Sequence, residues 1–424
     1  MPSFSIPLSG LTAAQEQLQS VSNNLANLNT DGYKDQTVTF SDLFSQASKS
    51  NGSGDPLQTG SGVQISATDS NFSDGNRNST GTSSNMALSG NGFFVTRNTN
   101  GLEGYTRAGD FTTNNTGQLT TPDGQLLLGY PAVGGVVNIA GALQPLQVGS
   151  VTSSAVASTT FQISANLDSS TAVGGVGAPS TLSVYDSLGS SHTLAVQYTK
   201  TGTNAWSYAV TIPSADLSTG GTGTTPVATG TLSFNSAGKM VLAGTPAVST
   251  IAITLPPVTS PATTFADGAA SMSLNWQLAD PAGNTTITQT ASASATSATN
   301  QDGYASGILT NYAVQPNGTI EGTFSSGKTL ALGQVAVASF ANVQGLAHAG
   351  NTSYQATAAS GVAVVGGAGT GGRGTIVGSA VEQSNVDIAK EFAKLIVAQQ
   401  AYSANAKSIT TFNQVSQATI AMIQ

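Results

Sequence analysis

Apolar residues near the start of the chain recur every seven positions. Leu11, Leu18 and Leu25 form one row, and Ala14, Val21 and Leu28 form a second. Two such rows make the a/d seam of a coiled coil and predict a helix over residues 5–29. Pro7 falls in the first turn, where the missing N–H costs nothing. Thr12 and Gln15 have the spacing of a capping box, and Asn29, Asp31 and Gly32 supply a stop. The pattern returns at the other end. Ile388, Leu395, Tyr402, Ile409 and Ile423 share a row broken only by Ser416, with Phe412 beside it. This predicts a second helix from about residue 386 onward, about 55 Å long, with Ser384 and Asp387 as its capping box.

Between the two helices the period changes to two. Residues 35–70 are polar and contain "SKSNGSGDPLQTGSG", the composition of a linker or extended arm. From 71 to 160, short apolar or alternating runs such as "MALSGNGFFVTR" stand between turn signals, with Asn91-Gly92 and Asp123-Gly124 as hairpin candidates. Residues 161–294 form another β-rich block. Here "TLSVYDSLGSSHTLAVQYTK" and "AWSYAVTI" are the clearest strands, residues 186–189 are a turn, and "STGGTGTTPVATG" is a loop. Trp206 and Trp276 lie in alternating runs and are expected in the core. The low-complexity run "TASASATSATNQDG" reads as a boundary, and strands resume up to residue 380.

The predicted fold is therefore mainly β, with coiled-coil-like terminal helices flanking nested antiparallel β domains. Its parts are a core helix (1–34), an arm (35–70), a discontinuous β domain (71–160 and 295–380), an inserted outer β domain (161–294) and a C-terminal core helix (381–424).

Composition narrows the chemistry. Charged residues make up 8% of the 424 and the net charge is −8. Nucleic-acid binding needs clustered Lys and Arg, so that class is excluded. There is no cysteine, which removes disulfides, thiolate metal sites and thiol nucleophiles. No run approaches the ~20 apolar residues that span a bilayer, so no membrane insertion is expected. "MPSFSIPLSG" lacks the basic start and long apolar core of a secretory signal.

Two motifs suggest nucleotides. "GTFSSGKT", residues 322–329, matches the P-loop pattern, but its flanks alternate like strands and place Gly327 at a hairpin tip. A P-loop needs a helix directly after it. "GAGTGG", residues 367–372, is followed by no amphipathic helix. His192 and His348 have no partner nearby in sequence and read as structural or exposed. The expectation is no enzyme activity, no cofactor and no metal.

The helices point to assembly. Burying the six apolar side chains of residues 11–28 stabilises by about 1–3 kcal/mol each. Ordering the backbone costs about 1–2 kcal/mol per residue over the whole helix. A lone helix of this length is marginal. Its seam needs a partner, which is the C-terminal helix of the same chain or helices of neighbouring copies. Asn23, Asn24 and Asn27 either add amide hydrogen bonds between subunits or cap and end the helix. The residues expected at a polymerisation interface are Leu11, Ala14, Leu18, Val21, Asn24, Leu25, Leu28, Ile388, Leu395, Tyr402, Ile409 and Phe412.

At this point the linear details carry a resemblance. "LSGLTAAQEQLQSVSNNLANLNTDGYK" closely resembles the N-terminal signature of flagellar rod, hook and hook-associated axial proteins, and "SNVDIAKEFAKLIVAQQAYSANAKSITTFNQV" resembles their C-terminal helix. "MALSGNGFFVTR", "YTRAGDFTTNNTGQLTTPDGQLLLGYPA" and "LGQVAVASFANVQGLAHAGNTSYQATAASG" look like the β domain shared by hook and distal-rod members. These segments cover about half the chain and agree in order. The large insertion gives the layout of the hook members, with a distal-rod member as the alternative. A secreted β-rich adhesin, the reading from another class, has no need for matched helices at both ends.

The resemblance implies export through the flagellum-specific type III apparatus without signal cleavage. It implies a homopolymer, assembled under a hook cap into a curved hollow tube outside the cell. That tube would act as a universal joint between a rod protein at one end and a hook-filament junction protein at the other. The helices would line the channel and the inserted block would lie outermost.

Overall fold

The computed structural model describes residues 5–50, 56–242, 249–257 and 263–422. The chain divides into two compact units. The first comprises residues 1–151, 311–323 and 329–424, and the second residues 152–310 and 324–328.

The first unit contains both helices, α1 (Ser5–Ala26) and α2 (Ile388–Ala421). Asp387 caps α2, accepting from the N–H groups of Ala389 and Lys390, so it is the N-cap and not the N3 partner of Ser384. Thr12 caps nothing, because it lies inside α1 and its hydroxyl donates to the Leu8 carbonyl. The α1 chain turns at Gly32, whose φ is +69°. Ile423 lies outside the described residues.

The polar segment expected to be an arm is a long antiparallel hairpin of β1 (Gln36–Ser50) and β2 (Pro56–Ser70), with register shifts at three places. Its backbone groups pair with each other. Both faces can therefore be polar, and no hydrophobic period marks it as a strand.

Beyond the hairpin, this unit is built on an antiparallel sheet. Its strands run in the order 319–324, 329–339, 126–133, 93–97, 103–106, 353–355, 347–350. Successive residues of the central strands enter two different cores. Phe94, Leu127, Val335 and Val337 pack on one face, and Phe93, Leu128, Ala336 and Ala338 on the other. Burial on both faces explains the continuous apolar runs "FFV" and "LLLGY". Asp123-Gly124 forms a hairpin turn, joining Thr120 to Leu126. Asn91-Gly92 does not. The strand before it, 86–89, pairs with 375–378, and Gly92 is required because a Cβ there would lie 2.5 Å from Val337.

The second unit has two sheets. One is antiparallel, running through 180–185, 191–202, 205–213, 224–234 and 240–241. The other contains 250–255, 272–277, 160–168 and 287–290, with 295–301 also on 160–168. In it, 160–168 pairs parallel with both 275–277 and 287–290, which departs from the all-antiparallel expectation. Inward residues of both sheets share one core. Trp206, Tyr198 and Val196 come from the first, and Trp276, Phe161 and Ile163 from the second. Both tryptophans are fully buried. Two low-complexity segments turn out to be strands. Residues 224–230 of the expected loop pair with 205–213, and the expected boundary at 295–301 pairs with 160–168. Thr-rich edge strands bury one face only, so their composition looks like that of a loop.

Candidate assembly interface

The helices pair with each other in antiparallel fashion. Asn24 of α1 meets Glu391 of α2, and Gly10 meets Asn405, where a Cβ would lie 2.9 Å from the Asn405 side-chain oxygen. Along α1, Ala14, Val21 and Asn24 are buried, while Leu11, Leu18, Leu25 and Leu28 are half-buried. Both heptad rows of α1 are thus used within the chain. On α2 the buried positions are Glu391 and Ala398, with Leu395, Ile409 and Phe412 half-buried. The inward stripe therefore runs one turn away from the row that starts at Ile388. Ile388 and Tyr402 themselves are exposed at 47% and 39%.

Asn24 is completely buried and makes four hydrogen bonds inside the chain. Its amide donates to Glu391 Oε2 (3.0 Å) and the Gln36 carbonyl (2.9 Å). Its oxygen accepts from the Gln36 N–H (3.0 Å) and the Tyr33 hydroxyl (3.1 Å). It therefore ties α1, α2 and the start of β1 together, rather than reaching outward. Burial pushes the Tyr33 hydroxyl up to about 12, helped by Asp35 and Glu391. Asn23 donates to Tyr33, and Asn27 bonds back to Asn23, so these two finish the helix end. Ser9 and Ser20 fasten α1 to the hairpin. Ser9 accepts from the Val63 N–H and Ser20 donates to the Gln36 carbonyl.

α2 leaves several large apolar side chains uncovered. Phe392, Ile396, Val397, Val415 and Ile420 are each more than half exposed, and on α1 Leu8 is also. These positions were hidden from the sequence reading because only one heptad row was followed. Phe392 and Ile396 follow Ile388 at a spacing of four, which a count by sevens skips.

Neither nucleotide-like motif is followed by a helix. Residues 322–329 bridge two strands of a hairpin, with Thr323 paired to Thr329 and Lys328 over the Tyr304 ring. Residues 367–372 are a turn wrapped by Arg373, which donates to the Gly367 carbonyl and the Thr370 hydroxyl.

His192, partnerless in sequence, has two acidic partners in the second unit. Its Nε2 lies 3.0 Å from Asp186 Oδ2 and its Nδ1 lies 3.0 Å from Asp216 Oδ2, while Phe265 stacks on the ring. Asp186 is fully buried and its other oxygen accepts from the N–H groups of Leu188 and Ser190. Asp267 stands close to both Asp186 and His192. Its carboxyl is held below the usual range, chiefly by the Ala269 N–H and the Ser190 hydroxyl. The cluster joins the 186–189 turn, the 3-10 turn at 214–216 and the 265–269 loop. Its evident work is to tie these together.

Four family profiles match along the chain in order. Residues 6–34 match the flagella basal body rod protein, and 87–166 match the flagellar hook protein FlgE/F/G D1 domain. Residues 176–304 match the flagellar basal body protein FlaE D2 domain, and 377–422 match the flagellar basal body rod FlgEFG protein C-terminal region. Flagellar hook protein FlgE of Salmonella typhimurium is 34% identical over 97% of this chain and 98% of its own. The Escherichia coli K12 protein of the same name is 35% identical, again over 97% and 98%. That of Borreliella burgdorferi is 32% identical over 97% of both. Among solved structures, Helicobacter pylori flagellar hook protein FlgE2 aligns with a TM-score of 0.52 at 16% identity, covering 72% of this chain and all of that one. This last likeness concerns the fold.

Proposed function

The chain belongs to the flagellar hook proteins, a family of structural proteins and not of enzymes, and we propose that its subunits build a curved hollow tube that serves as a universal joint. As a hook subunit it forms a homopolymer in the flagellum. In our reading α1 and α2 line the inner wall, the sheet of the first unit surrounds them, and the second unit lies outermost. The rod at one end, a junction protein at the other and a cap during growth are the partners this reading requires. The flagellar type III apparatus would export the chain without cleaving a signal.

One observation carries the proposal. The heptad seam is satisfied by α2 of the same chain, yet α2 still exposes a row of large apolar side chains. Exposed apolar rows of this size call for a protein partner, and in a homopolymer that partner is another copy. The residues proposed from sequence therefore divide. Leu11, Ala14, Leu18, Val21, Asn24, Leu25, Leu28, Leu395, Ile409 and Phe412 shape the helix pair, and Ile388 and Tyr402 join Phe392 and Ile396 on the outward face.

Electron microscopy of cells lacking the gene tests this. Rods without hooks or external filaments are expected, restored by the wild-type gene and not by Ile396→Asp. Hooks persisting in the deletion strain would overturn the proposal.

A further inference from the structure

Three passages of the chain between the helices and the sheet of the first unit run through one small volume. They are residues 31–36 leaving α1, residues 70–76 leaving the hairpin, and residues 380–387 entering α2. At its centre is an ion cluster in which Lys34, Glu382 and Arg107 are buried and Asp74 lies at the open edge. Lys34 Nζ lies 2.6 Å from Glu382 Oε1 and donates to the Ser73 carbonyl at 2.7 Å, and both charged side chains are fully buried. Glu382 Oε1 also accepts from the Gly75 N–H, at 2.8 Å. Arg107, from the sheet, reaches Glu382 Oε2 at 3.5 Å and Asp74 at 3.4 Å, and donates to the Gly90 carbonyl. Main-chain bonds close the same knot. The Gly32 N–H donates to the Glu382 carbonyl, and Asn385 joins Asp35 to Asn71 and Ser73.

Energetics make this arrangement informative. A buried ion pair contributes little net stability compared with apolar residues of similar volume, although removing one partner costs about 3–5 kcal/mol. Burial pulls the Lys34 ammonium below the ordinary lysine range, against the pull of Glu382. Stability alone does not call for such a cluster. Its geometry does something apolar packing cannot. Each charge accepts only a few partner positions, and those partners come from all three passages and from the sheet. An apolar plug tolerates sliding by a rotamer, whereas a buried, hydrogen-bonded ion pair such as Lys34–Glu382 tolerates it poorly.

We infer that Lys34, Glu382, Arg107 and Asp74 are positioning residues that set the angle between the helix pair and the sheet of the first unit. A rotation imposed on the helices is then transmitted to the sheet and not absorbed at the junction. The inference rests on the hook reading above.

The test uses the absence of cysteine in the chain. Spin labels are placed at Gln399→Cys on α2 and Leu102→Cys in the turn leading into strand 103–106 of the sheet, both exposed positions. Labelled subunits are diluted into unlabelled wild-type tubes and the label distance is measured by pulsed electron paramagnetic resonance. The main variant is Lys34→Met with Glu382→Met, which removes both charges of the tightest pair. It is expected to fold with a lowered melting temperature, because Arg107 and the Gly75 N–H lose Glu382, while its distance distribution in the folded state roughly doubles in width. As sole subunit it is expected to give no hooks or misshapen ones. Lys34→Arg keeps the charge but not the point geometry and is expected to broaden the distribution less; it serves if the double variant fails to fold. A distribution as narrow as wild type in the folded variant, or hooks of wild-type shape, would overturn the inference. Failure of the wild-type subunits to form tubes would instead count against the hook reading.

Discussion

Replacing Asp186 with alanine is the sharpest single perturbation of the second unit. Its carboxylate is fully buried and holds three donors or partners, the N–H groups of Leu188 and Ser190 and the ring of His192. Hydrogen bonds to an ionised group contribute about 1.5–3 kcal/mol each, and buried partners left unsatisfied add to the loss, so the removal costs about 3–5 kcal/mol. The two turn amides sit near the exposed Leu188 and recover water, so the lower half of that range applies. With a urea dependence of about 2 kcal/mol per molar, the midpoint falls by about 1.5–2 M. The assay reports this unit alone. The chain has two tryptophans, Trp206 and Trp276, both buried in the second unit, so fluorescence of the full-length subunit follows its unfolding. Asp216→Ala is the comparison. Its side chain is 27% exposed, which screens its bond to His192, and a shift of about 0.5 M or less is expected. If Asp186→Ala moves the midpoint no more than Asp216→Ala at unchanged slope, the cluster is not what joins the turn to the rest of the unit.

Two further outcomes follow from the first unit. Asn24→Leu in assembled hooks leaves Glu391 without the Asn24 amide and the Gln36 N–H without its side-chain acceptor, a loss of roughly 2–4 kcal/mol. Hydrogen exchange of α1 and the first turns of α2 should then quicken by at least about tenfold, and unchanged protection would refute the clasp. His348 accepts or donates at Ser70 Oγ (3.0 Å) beside the base of the hairpin, and burial holds its ring below the ordinary histidine value. The unfolded chain therefore takes up the proton first. Stability is present above about pH 6.5 and is lost as pH falls below it. Thermal unfolding at about pH 7.5 and about pH 5.5 should show a larger drop for wild type than for His348→Gln, and parallel drops would refute it.

The helices were legible because a seven-residue repeat survives any tertiary context, and so was Trp206, whose neighbours alternate. The α2 seam lies one row away from Ile388 and Tyr402 because its buried positions are Glu391 and Ala398, which no hydrophobic pattern selects. The hairpin at 36–70 and the strands at 224–234 and 295–301 were missed for the same physical reason. Their stability comes from backbone pairing, which leaves no mark on side-chain polarity. The His192 cluster and the Lys34–Glu382 pair join residues far apart in sequence or on separate loops, so only the fold brings them together. Family resemblance supplied the function but did not indicate which helix face turns outward.

The long segment of the second unit, residues 152–310, begins and ends in one short ladder, with Thr152 opposite Ile308 and Ser153 opposite Gly307. A block whose two ends lie one strand spacing apart can be exchanged like a cassette. Its length and surface can drift, or an epitope or a foreign domain can be spliced there, while the loop-closure cost changes by only about 0.6 kcal/mol per doubling of length. Such a segment is free to diversify under selection from its surroundings while the helix pair stays the same.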